Sequence, residues 1–479
     1  MKSRSLLRLV VIVFAVLGSV QHARAADAPA KRRPNIVLFL ADDLGWRDLG
    51  YAGSTFYESP NIDALARRGV VFDRAYAPCP VCSPSRAALM TGRYPARVGV
   101  TDYIGGPQPN QAATRPLYRD RLLPAPYQAQ LALRETTIAE ALREAGYATL
   151  CAGKWHLGGP KFSPEHQGFD EALIVSGAER KIGPSASTGP AGEHHSLRLA
   201  RESAEWVAEQ SAAGKPFFLY FPTHDPHIPL RPPAVDVAYF EAKRARLGLT
   251  DEFKPDGEYE VRQTQAHAVY AATIKTLDDT VGVVIKQLEA LNLLQDTIII
   301  FASDNGGLST REGSPTSNAP LRAGKGWPYE GGVRIPMLAI VPGVTRAGAT
   351  CSERVVLNDL FPTLLDACAL PLRPNEHLDG VSLVPALRGE KLAPRDLFWH
   401  YPHYGNQGGR PYSAVRSGDW KLIAFHDPRL GTELYNLADD PHEKKSLAAE
   451  QGERVASLRQ TLDAWKKDVG AVDAAPAAR

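Results

Sequence analysis

Downstream of Pro34 the chain alternates short apolar runs with longer amphipathic stretches. The runs Asn35–Leu40, Ala148–Ala152, Pro216–Phe221, Thr297–Ala302 and Met337–Val341 are rich in Val, Ile and Phe. Such runs predict central strands buried on both faces. Between them, apolar positions fall at helical spacing. Ser59-Pro60 is expected to cap and open a helix whose Ile62, Leu65 and Ala66 share a face and which Gly69 ends. Thr137 and Glu140 have the spacing of a capping box, with Ile138, Ala141 and Leu142 behind it and Gly146 closing. A long helix places Tyr270, Ile274, Leu277, Val281, Val284, Ile285 and Leu288 on one stripe. This alternation predicts an α/β fold: a large mixed, mostly parallel sheet flanked by helices.

After about Pro371 the texture shifts to prolines, turns and aromatics. Ala414–Val415 and Trp420–Phe425 look like strands, and Val455, Leu458, Leu462 and Trp465 lie along one face of a final helix. We expect a main domain over residues 34–370 and a small α+β subdomain over 371–479, with an antiparallel sheet and a terminal helix. Residues 104–132 read as a surface loop and Ala474–Arg479 as a mobile tail. At the other end, Lys2, Arg4 and Arg8 precede the apolar run Leu9–Leu17, and Ala23-Arg24-Ala25 supplies small residues for cleavage. That order predicts a signal peptide over residues 1–25, followed by a flexible lead-in over 26–33. The run is far shorter than the roughly 20 residues of a membrane span. An exported protein is expected, periplasmic or secreted.

Charge narrows the possibilities. There are 55 Lys+Arg against 53 Asp+Glu, a formal charge of +2. Without residues 1–25, which hold four positives and no acid, the balance is 51 against 53. Nothing in it points to nucleic acid or to a polybasic membrane anchor. A content of 44% hydrophobic and 23% charged residues excludes disorder, collagen and coiled coil. Five cysteines in 479 residues are no disulfide scaffold, although Cys351 and Cys368 could pair in an oxidising compartment.

Four of the strand candidates run into polar clusters: Asp42-Asp43, Lys154-Trp155-His156, His224 with His227, and Asp304-Asn305-Gly306. Ligands of open α/β sheets bind beyond the carboxyl ends of the strands, so these clusters are expected to converge. Asp42, Asp43, Asp304 and Asn305 are oxygen donors, which suit Ca²⁺ or Mg²⁺ better than zinc. Helix capping and tight turns are the ordinary uses of such residues taken singly. Their pairing at two strand ends favours metal.

Cys79-Pro80-Val81-Cys82-Ser83-Pro84-Ser85-Arg86 contains a CxxC, but no second Cys or His pair stands at zinc spacing. Instead, Ser83 or Cys82 is expected to cap a helix opened by Pro84 and running to Gly92. Cys82 then sits where free backbone N–H groups favour an anion, with Arg86 one turn inside.

Cys82-Ser83-Pro84-Ser85-Arg86, continued by Leu89-Thr91-Gly92-Arg93, resembles the C-x-P-x-R signature of the type I, formylglycine-dependent sulfatases. Further likenesses follow in the family's order: Pro34–Asp43, Gly153–Gly158, Pro226-His227-Ile228-Pro229, Asp304-Asn305-Gly306, Gly324-Lys325-Gly326 with Tyr329–Gly332, and Glu433–Leu437 with Asp440-Pro441. The resemblance is nearest to arylsulfatases and N-acetylgalactosamine sulfatases. It implies an alkaline-phosphatase-like core and a Cys82 oxidised to formylglycine by a formylglycine-generating enzyme. It also implies a cation, Ca²⁺ or Mg²⁺, held by Asp42, Asp43, Asp304, Asn305 and residue 82.

In the reaction this implies, Lys154, Lys325 and the cation hold the sulfonate oxygens of a sulfate monoester. A hydroxyl of the hydrated aldehyde attacks sulfur, and His227 with Lys325 protonates the departing alcohol. His156 then takes a proton from the second hydroxyl, expelling sulfate and restoring the aldehyde. Arg86 orients residue 82. A plain Ser or Cys would form the ester but has no second hydroxyl to break it. Sulfated carbohydrate, with galactose or N-acetylgalactosamine sulfates, or an aryl sulfate is the expected substrate. His224 beside His227 and Ser176 beyond Gly168-Phe169-Asp170 are candidate substrate contacts. Trp399–Tyr404, including His403, together with Arg410, either line a sugar subsite or pack between the domains. Two rivals stay open: a phosphonate or phosphate-ester hydrolase on the same core, and a non-catalytic binder of sulfated glycans with Cys82 unoxidised.

Overall fold

The first predicted strand, β1 (Asn35–Ala41), is buried along its whole length. Its alternate residues feed two cores: Ile36, Leu38 and Leu40 pack on one face of the sheet, Val37, Phe39 and Ala41 on the other. The computed structural model describes residues 33–476, apart from 116, 117, 119, 120, 177–180 and 183–192. The expected signal peptide and almost all of the lead-in lie outside the described residues.

The large sheet continues with β2 (Val70–Tyr76), β3 (Ala148–Gly153), β4 (Glu171–Ser176), β5 (Lys181–Ile182) and β6 (Phe217–Pro222). A separate hairpin pairs β7 (Phe253–Asp256) with β8 (Tyr259–Arg262) before β9 (Thr297–Ser303), β10 (Arg334–Ile340), β11 (Ala349–Cys351) and β12 (Val355–Val356) rejoin the sheet. Its order is β11-β2-β10-β9-β1-β6-β3-β4-β5, with β12 also on β2. The central strands β9, β1, β6, β3 and β4 are parallel, whereas β10 runs antiparallel between β9 and β2. In the β1–β9 register Ala41 lies opposite Ser303, so Asp42-Asp43 and Asp304-Asn305 leave the sheet side by side.

The predicted helices form, though not all begin as expected. Thr137 Oγ1 accepts from Glu140 N at 3.1 Å while Glu140 Oε2 accepts from Thr137 N at 2.7 Å, completing the capping box. The helix Ala268–Ala290 buries every residue of its predicted stripe. Ser59 does not cap the helix Pro60–Arg68 with its side chain. Its hydroxyl accepts from Gly50 N and donates to Asp63 instead. The tail also differs from expectation: Ala474 is buried, and Leu123 and Ala475 exchange backbone hydrogen bonds of 2.7 and 3.1 Å. One strand pair thus ties the tail to the 104–132 excursion. Cys351 and Cys368 are buried and are not joined in a disulfide. No described helix is long and apolar enough to cross a membrane.

The C-terminal sheet joins β13 (Leu397–Tyr401), β14 (Tyr412–Ser417), β15 (Trp420–Phe425) and β16 (Thr432–Asn436) in antiparallel order. Val415, Leu422 and Leu434 on one face pack against Leu458 and Leu462 of the helix Gly452–Val469. Trp399, Tyr412 and Ile423 on the other meet Tyr76, Val81 and Val333 of the main sheet's side. Lys421 is buried in this second interface, 3.1 Å from Glu330 and 2.9 Å from Glu443. Tyr76 and Arg416 also contact Glu330, and these partners hold its carboxyl well below the usual range against the upward push of burial.

Removing one member of a dry ion cluster leaves an uncompensated charge behind. Lys421→Met is therefore expected to lower stability by about 3–5 kcal/mol, read as a fall in the urea midpoint. An unchanged midpoint would contradict the electrostatic account of this interface.

Candidate active site

The four polar clusters converge because backbone hydrogen bonds lace their turns together. Asp304 N donates to Ala41 O at 3.1 Å, Thr223 N to Leu40 O at 2.9 Å, Asp42 N to Asp225 O at 3.2 Å, and Lys154 N to Pro222 O at 2.7 Å. The last bond needs Gly153 beside it: φ there is 135°, and a Cβ would stand 1.9 Å from Pro222 O. Asp43 and His156 both adopt left-handed backbone conformations, φ 65° and 55°. Such conformations cost on the order of 1–3 kcal/mol each and persist where surrounding structure over-determines them.

The helix bearing the CxPxR motif spans Cys82–Thr91. Val81 is its N-cap, so neither Cys82 nor Ser83 caps it; Cys82 is its first residue. Ser83 Oγ instead accepts from Ile104 N at 3.0 Å. Cys82 is buried, with its Sγ 3.3 Å from His156 Nδ1. Burial pushes the Cys82 thiol up, only partly offset by Lys154 and Lys325.

Around this helix end lie three carboxylates and three cations. Arg86 Nε and Nη2 bind Asp304 Oδ2 at 2.9 and 2.8 Å, and Nη1 donates to Lys154 O at 2.5 Å. Lys154 Nζ reaches Asp42 Oδ2 at 2.5 Å, and Lys325 Nζ reaches Asp43 Oδ2 at 2.6 Å. Asn305 Nδ2 donates to Asp43 Oδ1 at 2.8 Å. Burial raises the Asp42 carboxyl, but Lys154, His227, Arg86 and Lys325 outweigh it and hold the group well below its ordinary value. Asp304 moves the other way, pushed up by burial and by the charge on Asp42 despite Arg86. The cluster resists carrying three full negative charges on its own.

The donor set fits a hard divalent cation. Asp42 Oδ1 and Asn305 Oδ1 are buried without hydrogen-bond partners. Asp42, Asp43 and His227 each offer a ligand atom within 4.8 Å of the others. Oxygen atoms so placed, with Asp304 alongside, match the chemistry of Ca²⁺ or Mg²⁺.

Backbone carbonyls orient the two imidazoles. His156 Nε2 lies 3.2 Å from Ile104 O, so it carries the proton and leaves the Nδ1 lone pair toward residue 82. His227 Nδ1 meets Ile228 O, which leaves Nε2 to accept from Lys325 Nζ at 3.1 Å. Burial lowers the pKa of both rings, helped at His156 by Lys154 and Arg86 and opposed at His227 by Asp43. Ile104 and Ile228 act through main-chain oxygens, and nothing in their residue type marks them in the sequence.

The tentative substrate contacts fare differently. His224 is half-buried at the end of β6, its ring 5.8 Å from that of His195. Ser176 ends β4, with its side chain outside the described atoms. Arg410 is half-buried and pairs with Glu258 at 2.8 Å. His403 is 1% exposed, hydrogen-bonded to Thr101 at 2.9 Å and packed on Tyr127 and Tyr401. Trp399, His400, Tyr401 and Tyr404 are likewise buried, with Trp399 Nε1 donating to Ala77 O. Trp399 and Tyr401 pack between the two sheets, His400 meets Val472 O of the tail, and Tyr404 packs on Tyr118.

Comparison with known proteins gives the family. A family model described as Sulfatase matches residues 34–369, and one described as N-sulphoglucosamine sulphohydrolase, C-terminal, matches 323–468. Arylsulfatase A of Homo sapiens is 33% identical over 90% of this chain and 86% of its own. N-acetylgalactosamine-6-sulfatase of Canis lupus familiaris is 32% identical over 78% and 70%. The crystal structure of Ps i-CgsB superposes with a TM-score of 0.73 at 28% identity, covering 90% of this chain and 92% of that one. The chain belongs to the sulfatase family: it is a sulfuric ester hydrolase on an α/β core.

A ring held below its ordinary pKa stays neutral as acid is added. The His156 imidazole is expected to titrate below 6.5, as followed by histidine NMR. Its folded pKa lies under the unfolded one, so the folded state binds fewer protons between the two values. This group therefore removes stability as pH falls through 6.5. Titration at or above that value would contradict the geometry.

Proposed function

We propose that the protein hydrolyses sulfate monoesters of a carbohydrate through residue 82, matured from cysteine to formylglycine by a formylglycine-generating enzyme. The observation that carries this reading is the 3.3 Å approach of Cys82 Sγ to the lone-pair nitrogen of His156, at a buried helix N-terminus. The unmodified thiol is a poor candidate nucleophile, because burial raises its pKa. As formylglycine, residue 82 would present a hydrated aldehyde: one hydroxyl to attack sulfur, and a second whose proton must leave before sulfate can.

His156 Nδ1 is the acceptor for that second proton. Asp42, Asp43, Asp304 and Asn305, with side chain 82, would hold Ca²⁺, with Mg²⁺ the alternative. When bound, the cation supplies positive charge that polarises the sulfonate oxygens. Lys154 and Lys325 bind the same oxygens. The proton shared by Lys325 Nζ and His227 Nε2 passes to the departing alcohol oxygen. Arg86 fixes Asp304 and, through Lys154 O, the turn that carries His156.

Sulfated galactose or N-acetylgalactosamine is the proposed substrate class. The named relatives include an N-acetylgalactosamine-6-sulfatase, and Ps i-CgsB has been solved in complex with k-i-k-neocarrahexaose. Arg410 and His224, which keep partial exposure, are the proposed sugar contacts, with Ser176 a third. The basic and apolar order of residues 1–25 supports export to a periplasm or beyond.

Two measurements test this reading. The peptide containing Cys82, from the native host, should be about 18 Da lighter than its thiol form. An unmodified thiol there would sink the mechanism. In matured enzyme, His156→Ala should lower kcat on an aryl sulfate by about 10²–10⁴-fold, with sulfate accumulating on residue 82. Unchanged turnover would remove His156 from its role.

A further inference from the structure

Behind the turn that carries His227 lies a second cluster of ligand-type side chains, outside the machinery described above. His194, His195 and Asp225 each offer a ligand atom within 4.8 Å of the others. The His194 and His195 rings are 4.2 Å apart, and the His224 ring stands 5.8 Å from His195. We infer that this cluster is a structural site for a borderline transition metal of the zinc type, held by His194, His195 and Asp225, with water as the fourth ligand.

The donor chemistry separates it from the oxygen-rich active centre. Two imidazoles and one carboxylate, completed by water, match zinc's preference for nitrogen and the ligand number of its four-coordinate sites. Ligand atoms around tetrahedral zinc stand about 3.3 Å apart, so modest side-chain rotation closes the present spacing. His194 Nε2 is buried without a hydrogen-bond partner. His194 Nδ1 accepts only a long 3.3 Å contact from Ser196 N, which coordination through Nε2 would exchange for a metal bond. Ser196 Oγ donates to Asp225 Oδ2 at 2.5 Å, an outer-shell contact of the kind that orients a ligating carboxylate.

A second histidine cluster serves a different purpose. His400, His426 and Asp473 also lie within 4.8 Å of one another. There every ring nitrogen is engaged: His400 by Ser413 Oγ and Val472 O, His426 by Ser413 Oγ and Ala474 N. That cluster pins the C-terminal tail and has no nitrogen to spare.

The location gives the proposed metal a task. His194 caps the helix His195–Ala212, whereas Asp225 belongs to the turn that runs into His227. His227 N donates to His224 O at 2.9 Å, and Asp42 N donates to Asp225 O at 3.2 Å. A metal across the cluster would lock this helix end to the turn that sets His227 against Lys325. The histidines act as positioning residues.

Titration of the full-length, chelator-stripped protein with Co²⁺ tests the site through the visible bands of four-coordinate cobalt. One equivalent should bind with these bands, and Zn²⁺ should displace it. The bands should vanish in His194→Ala and His195→Ala and persist in His227→Ala, each checked for native circular dichroism. Zinc affinity in the first two should fall by at least the roughly 10–100-fold that even outer-shell changes cost. Absence of the bands in the unaltered protein, or their loss only in His227→Ala, would overturn the proposal. Because none of these readouts needs residue 82 to be modified, failure here leaves the sulfatase reading intact.

Discussion

Asp42, Asp43 and Asp304 are drawn out of water together at the carboxyl ends of β1 and β9, where like charges at close range are tolerable only if matched. Arg86 and the two lysines do the matching, one cation to each carboxylate. This neutral but strongly polar cluster sets the chemistry of everything near it. It keeps His156 and His227 neutral by crowding them with cations and removing solvent, while the carboxylates temper the effect at His227. It also leaves Asp42 Oδ1 and Asn305 Oδ1 unsatisfied, a cost that only a bound cation or water relieves. A dication entering such a site raises its charge to net positive, which is what an anionic sulfate ester requires.

The scaffold places these groups through main-chain contacts more than through side-chain packing. Parallel strands β9, β1, β6 and β3 deliver four turns to one edge, and carbonyls of Leu40, Ala41, Pro222 and Asp225 tie the turns to one another. Two further carbonyls, of Ile104 and Ile228, decide which nitrogen of His156 and of His227 bears its proton. The C-terminal sheet closes the far side of the Cys82 helix's approach, with Cys79 and Val81 in its core, and is fastened by the buried Lys421 cluster.

Much of this was legible in the residues. Strands buried on both faces declare themselves as continuous apolar runs, so β1, β3, β6, β9 and β10 stood out. β2 did not, because Asp73-Arg74 interrupts Val70–Tyr76 at its half-buried positions. The paired acids at two strand ends were readable because parallel neighbours must end together. The aromatic run Trp399–Tyr404 was ambiguous because stacking on a sugar and packing between sheets use the same side chains; burial decides for packing. The tail pairing of Ala475 with Leu123 and the tautomer-setting carbonyls involve the backbone alone, which residue type does not encode.

The central claim is that the carboxylate–lysine cluster becomes an anion site when it takes a divalent cation. Isothermal titration of inorganic sulfate into the chelator-treated protein, with and without saturating Ca²⁺, tests it directly. Opposite charges in one site attract, and linkage makes the gain reciprocal, with a coupling typically of about 1–3 kcal/mol, or 5–150-fold. The account predicts tighter sulfate binding in Ca²⁺ and loss of that gain in Asp43→Asn. Equal sulfate affinity in the two conditions would contradict it.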